Sequence, residues 1–119
     1  HKEEHIRVWA IQLLVEFGAP NSETIDLFTS IAKVEKSALV RLYLASALRK
    51  LPLEKRWPLA NALGKREDLN EDPVFPLMLW YGIESAVSAN PAAALKMVTS
   101  CKISKIQQFI PRRLTAIKN

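Results

Sequence analysis

"ALVRLYLASALRKL" occupies residues 38–51. Its apolar residues Val40, Leu44, Ala47, Leu48 and Leu51 fall at i, i+4, i+7, i+8 and i+11, one stripe along an α-helix. Shifted back by 34 positions, the same stripe is Ile6, Ala10, Leu13, Leu14 and Phe17, and Arg41 falls on Arg7. Shifted forward by 35, it is Phe75, Leu79, Gly82, Ile83 and Ala86. Shifted forward by 66, it is Ile106, Ile110, Leu114 and Ile117, with Arg113 breaking the pattern. Off the stripe, the first two copies carry further apolar residues: Val8 and Ile11 in one, Leu39 and Leu42 in the other. A helix that is apolar on more than one side has more than one neighbour. Periods of this size in helical sequence indicate stacked helical hairpins.

The hairpin partners lie between the copies. "SETIDLFTSIAKV", residues 22–34, is an amphipathic helix with Ile25, Phe28, Ile31 and Ala32 on one side. A second partner spans residues 54–66, where Pro58 requires either a start at Trp57 or a kink, because proline lacks the amide donor of a helix interior. Residues 91–100 are the third. Ser37 is placed to cap the second copy, and Asp72-Pro73 and Asn90-Pro91 each put a capping side chain ahead of a proline at the first helical position. Pro111 is expected to bend the last helix. The reading is all-α: a right-handed α-α superhelix of about seven helices, in one domain over 1–119. Its repeats run from about 3–34, 37–66 and 73–100 to a half-repeat at 103–117. One hairpin cannot cover its own apolar faces, and stacking similar hairpins lets each cover the next.

Composition agrees. Of 119 residues, 49% are apolar and only three are glycine, enough apolar material for a core and few turn formers. Stretches without charge, such as 73–83, are roughly half the ~20 residues of a membrane span. No apolar leader with a cleavage site follows His1, and the chain reads as a fragment of a larger protein. A single cysteine, Cys101, excludes an internal disulfide and a cysteine-based zinc site, and it reads as a small buried residue.

The paired helices resemble HEAT-like repeats of the HEAT/armadillo kind, in which a basic residue stands near the start of the first helix, as in "HIRVWAIQLL" (5–14) and "ALVRLYLASAL" (38–48). From residue 41 onward the similarity narrows. "RLYLASALRKLPLEKRWPLANAL" (41–63), "DPVFPLMLWYGIESAV" (72–87) and "NPAAALKMVTSCKISKIQQFIPRRL" (90–114) resemble one group of HEAT-like modules. These belong to large secreted bacterial proteins that join a sugar-dehydrogenase-like propeller to a c-type cytochrome segment. The chain departs from that pattern in having no C-x-x-C-H and no propeller. The resemblance therefore implies a non-catalytic spacer or docking module with no cofactor of its own, in a parent that is secreted, periplasmic or membrane-associated. Its partner is a protein or a neighbouring domain of the same chain, with no small-molecule substrate and no membrane insertion.

Few residues suggest chemistry. "HKEEH" (1–5) matches the H-x-x-E-H zinc-protease signature through His1, Glu4 and His5, but a third ligand is missing and acids at a helix start already suit the dipole. No glycine-rich phosphate loop and no G-x-S-x-G is present. Net charge is +5. No acid follows Glu84, while Lys96, Lys102, Lys105, Arg112, Arg113 and Lys118 do, and a second basic cluster is Arg49, Lys50, Lys55 and Arg56. Nucleic-acid binding through this basic surface is the alternative to a protein-binding scaffold. Glu84, in the most apolar helix, is expected to pair with Arg112 or Arg113. Trp9, Trp80, Tyr43 and Tyr81 are expected in the core, and Trp57 partly exposed at a repeat junction. The residues singled out for partner binding are Arg7, Arg41, Trp57, Arg112 and Arg113, with no catalytic, cofactor or metal residue.

Overall fold

A computed structural model describes residues 2–17 and 21–117. Seven α-helices are formed among them: α1 (Lys2–Phe17), α2 (Ser22–Val34), α3 (Ala38–Ala47), α4 (Trp57–Gly64), α5 (Phe75–Ala89), α6 (Pro91–Ser100) and α7 (Ser104–Ile117). Short 3-10 turns at Leu48–Lys50, Leu53–Lys55 and Glu67–Glu71 flank α4, and no described residue is in a strand.

The punctuation works through side-chain oxygens that accept the orphan amides of a first turn. Asn21 accepts from the Thr24 amide at 2.9 Å, Ser37 from Val40 at 3.2 Å, and Asn90 from Ala93 at 3.1 Å with Pro91 just inside the helix. Of the two alternatives for Pro58, the structure takes the first: α4 starts at Trp57 and Pro58 sits in its first turn. Asp72 is also a cap, but for a later start. Its Oδ1 accepts from Val74 and Phe75 at 2.8 and 2.9 Å, so Pro73 stays outside and Pro76 takes the early helical position. Pro111 lies inside α7.

The helices form two rows. Along one, α1 packs on α3, α3 on α5, and α5 on α7; along the other, α2 packs on α4 and α4 on α6. The core lies between the rows. The stripe that defines the repeat is buried throughout α3 and its 3-10 extension, at Val40, Leu44, Ala47, Leu48 and Leu51. It is buried again in α5 at Phe75, Leu79, Gly82, Ile83 and Ala86, and in α7 at Ile106 and Ile110. Helix α4 is buried nearly all round, through Trp57, Leu59, Ala60, Ala62, Leu63 and Gly64. The molecule measures 47 × 31 × 18 Å with a radius of gyration of 13.8 Å. That is close to the ~13.5 Å of a folded chain of this length.

Helix α1 departs from the expected register. Ile6, Ala10 and Leu13 are exposed, and the helix instead buries Val8 and Ile11, with Leu14 and Val15 packed beside them. Two apolar faces compete on this helix, and α3 covers only one. The chosen rotation lets Arg7 reach Glu35 at the end of α2, at 2.7 Å through Nε and 2.9 Å through Nη2. Phe17 and Ile117 of the expected stripe lie outside the side chains described.

The loops that end the even helices are tied to one another. Nη1 of Arg66, after α4, donates to the Ala32 carbonyl of α2 at 2.8 Å. The Lys102 amide, after α6, donates to the Gly64 carbonyl of α4 at 2.7 Å. Both bonds satisfy a carbonyl at a helix C-terminus, where no intrahelical donor remains.

Candidate functional site

The two arginines aligned by the repeat also take equivalent partners. Arg7 pairs with Glu35 in the loop after α2, and Arg41 pairs with Asp68 in the 3-10 turn after α4, at 2.6 Å. Burial works against the Glu35 carboxylate, but the Arg7 fork and the Ser37 amide outweigh it and hold its pKa below the usual range. Burial likewise opposes the Asp68 carboxylate, and Arg41 and Arg66 together bring it down. Glu35 is the one buried charged residue among those described. Arg7 and Arg41, read in the sequence as partner-binding, thus join α1 and α3 to the loops that end α2 and α4.

Trp57 is buried, not partly exposed, at 8% of its surface, because it opens α4 in the middle of the core. Its Nε1 has no hydrogen-bond partner. Trp9 reverses the other way: it is 69% exposed, on the face that α1 turns from α3. Tyr81 is also exposed, on the side of α5 opposite its buried stripe, whereas Tyr43 and Trp80 are half-buried. Trp80 packs against Phe109 of α7 with ring centroids 5.3 Å apart. Beside that pair, Arg112 and Arg113 line a shallow depression with Ala116. Glu84 does not pair with them. Arg113 donates instead to Ser88 Oγ at 3.3 Å, one turn further along α5.

His1 of "HKEEH" lies outside the described residues. His5 is exposed, Glu4 accepts from the Ser37 hydroxyl, and that bond lowers the Glu4 pKa. No group of three or more His, Cys, Asp or Glu side chains comes together among the described residues. Cys101 is buried under Gly64, accepts from the Ile103 amide at 3.4 Å, and has its thiol pKa raised by burial.

Two surfaces remain. The first is the outer face of α1, where Ile6, Trp9 and Leu13 stand at i, i+3 and i+7 with 59%, 69% and 49% of their surface exposed. The second is an open cleft of about 550 Å³ lined by Arg49, Arg56, Tyr81, Glu84 and Ser85. Arg56 is held there by three backbone carbonyls: Leu51 at 3.0 Å, Gly82 at 2.9 Å and Arg49 at 3.3 Å. Burial, and then the like charge of Arg49, lower the Arg56 pKa. The sequence showed the basic cluster of this cleft but not that α5 presents Tyr81, Glu84 and Ser85 to it. The spacing i, i+3, i+4 was the available signal, masked by the apolar residues around it.

Compared with protein-family models, with curated proteins and with solved structures, the chain matches none. No helix among the described residues is long and apolar enough to cross a membrane.

Proposed function

We propose that the chain is a non-catalytic protein-interaction or spacer module, a right-handed superhelix of HEAT-like hairpins in which the outer face of α1 receives a helix of a protein partner or of a neighbouring domain of the same chain. The observation that carries this is the exposed stripe of Ile6, Trp9 and Leu13 on α1. Within the odd row, α3 is covered on both sides and so is α5, each time by a helix. The outer face of α1 continues that row, and its i, i+3, i+7 ridge has the form that a single amphipathic helix covers. Tryptophan is among the residues that most often dominate binding energy. The setting in a larger secreted or periplasmic bacterial oxidoreductase rests on the resemblance of residues 41–114, as does the absence of a cofactor.

The internal use of the arginines favours this reading over nucleic-acid binding. Arg7, Arg41 and Arg66 are spent on acids, which removes them from a phosphate-binding surface. The test is a photo-crosslinking amino acid in place of Trp9, in cells making the full gene product. The expected result is a protein adduct that Leu13→Glu abolishes. Absence of any protein adduct, together with duplex-DNA binding that weakens steeply with salt, would overturn the proposal.

A further inference from the structure

The cleft between the 3-10 turns and α5 has an unbalanced set of charges. Arg56 Nη2 reaches the Arg49 backbone carbonyl at 3.3 Å, and the like charge of Arg49 adds to burial in lowering the Arg56 pKa. Glu84 lines the same cleft, yet neither it nor the Arg49 side chain makes a hydrogen bond or ion pair among the described residues. Arg56 is fixed by its three carbonyl bonds and retains N–H groups beyond those it has spent. A half-exposed phenol ring, Tyr81 at 52%, borders the opening one turn before Glu84 and Ser85. The architecture holds this arrangement in place. Gly82 lets α5 approach the end of α3 so closely that a Cβ there would stand 2.8 Å from Leu48, and the Gly82 carbonyl is itself a partner of Arg56.

We infer that this cleft binds an acidic peptide segment, with a carboxylate held between Arg49 and Arg56 and the peptide's N–H groups donating to Glu84. This deepens the protein-binding reading above and rests on it. A carboxylate between the guanidiniums relieves their repulsion and forms charge-assisted bonds. Glu84 selects the class of ligand. A phosphodiester backbone offers acceptors only and leaves Glu84 without a donor, whereas a peptide brings a carboxylate for the arginines and amide donors for Glu84. The cleft is open and mainly polar, unlike the enclosed apolar pockets that take small molecules. Tyr81 offers a flat apolar surface for the aliphatic part of a neighbouring residue.

The experiment follows the Arg49 and Arg56 Nε–H signals and the amides of residues 81–85 by NMR in ¹⁵N-labelled protein. The probes are acetyl-tetraglutamate amide, its tetraglutamine counterpart and inorganic phosphate. Saturable shifts at these positions are expected with the glutamate peptide and not with the glutamine one. Arg49→Ala should weaken binding about fivefold, the upper end for an exposed charge pair. Glu84→Gln should weaken the peptide and strengthen phosphate. Neither variant removes an internal bond, so the remaining spectrum should not change. Lack of saturation, equal shifts with the glutamine peptide, or a Glu84→Gln gain for the peptide would overturn the inference. A failure here with the Trp9 adduct intact leaves the scaffold reading standing, whereas loss of the adduct leaves the cleft's peptide titration to be read alone.

Discussion

Glu35 shows how one residue serves two levels of structure. Its carboxylate accepts from both ends of the Arg7 fork and from the Ser37 amide at 3.0 Å, so it joins α1 to the α2–α3 loop. Glu35→Gln removes the charge but keeps the shape, and Glu35→Ala removes all three bonds. The alanine variant is expected to lose roughly 1–3 kcal/mol, the range for charged hydrogen bonds broken at a buried site. The pH dependence has a definite sign. The folded pKa lies below the ordinary glutamate value, so this stabilisation is complete above that ordinary value, near 4.5, and is lost as pH falls through the folded pKa. Urea midpoints of wild type and Glu35→Gln should therefore differ at neutral pH and converge under strong acid. The aromatic residues carry the opposite lesson at this scale. Trp9 and Trp57 both have apolar neighbours in the chain, yet one is exposed and the other buried, because exposure depends on which helix covers which.

Among the helices, α5 is the one whose position everything else assumes. It packs on α3 and α7 in its own row and touches α4 and α6 in the other. Gly82 permits that approach: an added Cβ would meet Leu48 Cβ and Cδ1 at 2.8 Å and the Ala45 carbonyl at 3.2 Å. Alanine is the better helix former by roughly 0.5–1 kcal/mol, but Leu48 is fully buried and its Cβ is fixed to the backbone. Overpacking should dominate, and Gly82→Ala is expected to destabilise by about 1–3 kcal/mol, measured by chemical denaturation. It should also loosen Arg56, visible as faster exchange of its Nε proton. The rotation of α1 belongs to this scale as well. The repeat pattern that is buried in α3, α5 and α7 is turned outward in α1, where α3 covers the face of Val8 and Ile11 instead.

For the molecule as a whole, the even-helix loops act as a line of stitches. Asn70 is the clearest of them. Its Nδ2 donates to the Glu67 and Lys102 carbonyls, and its Oδ1 accepts from the Ser104 amide at 2.8 Å. It thus joins the turn after α4 to the loop between α6 and α7. Asn70→Ala should cost roughly 0.5–1.5 kcal/mol, the net worth of exposed hydrogen bonds whose backbone groups turn to water. Because α6 and α7 pack mainly on each other and on α4 and α5, hydrogen exchange should rise in α6 and α7 first and leave α1 and α2 protected. Uniform loss of protection across all seven helices would show instead that the chain unfolds as one unit.

The helices, the caps at Ser37 and Asn90 and most of the buried stripe of α3, α5 and α7 were legible in the sequence, because the period of a helix and the chemistry of Asn, Ser and proline are local. The alignment of Arg7 with Arg41 was legible too, but not its meaning. Each arginine's acid lies some thirty residues away in sequence, and only the packing of the rows brings them together. The same holds for the cleft of Arg49, Arg56 and Glu84, whose residues come from two turns and a distant helix face. Local sequence determines which segments coil and which residues can be buried. Tertiary structure decides which of several apolar faces is covered, since that choice depends on the neighbours a helix has and not on its own composition.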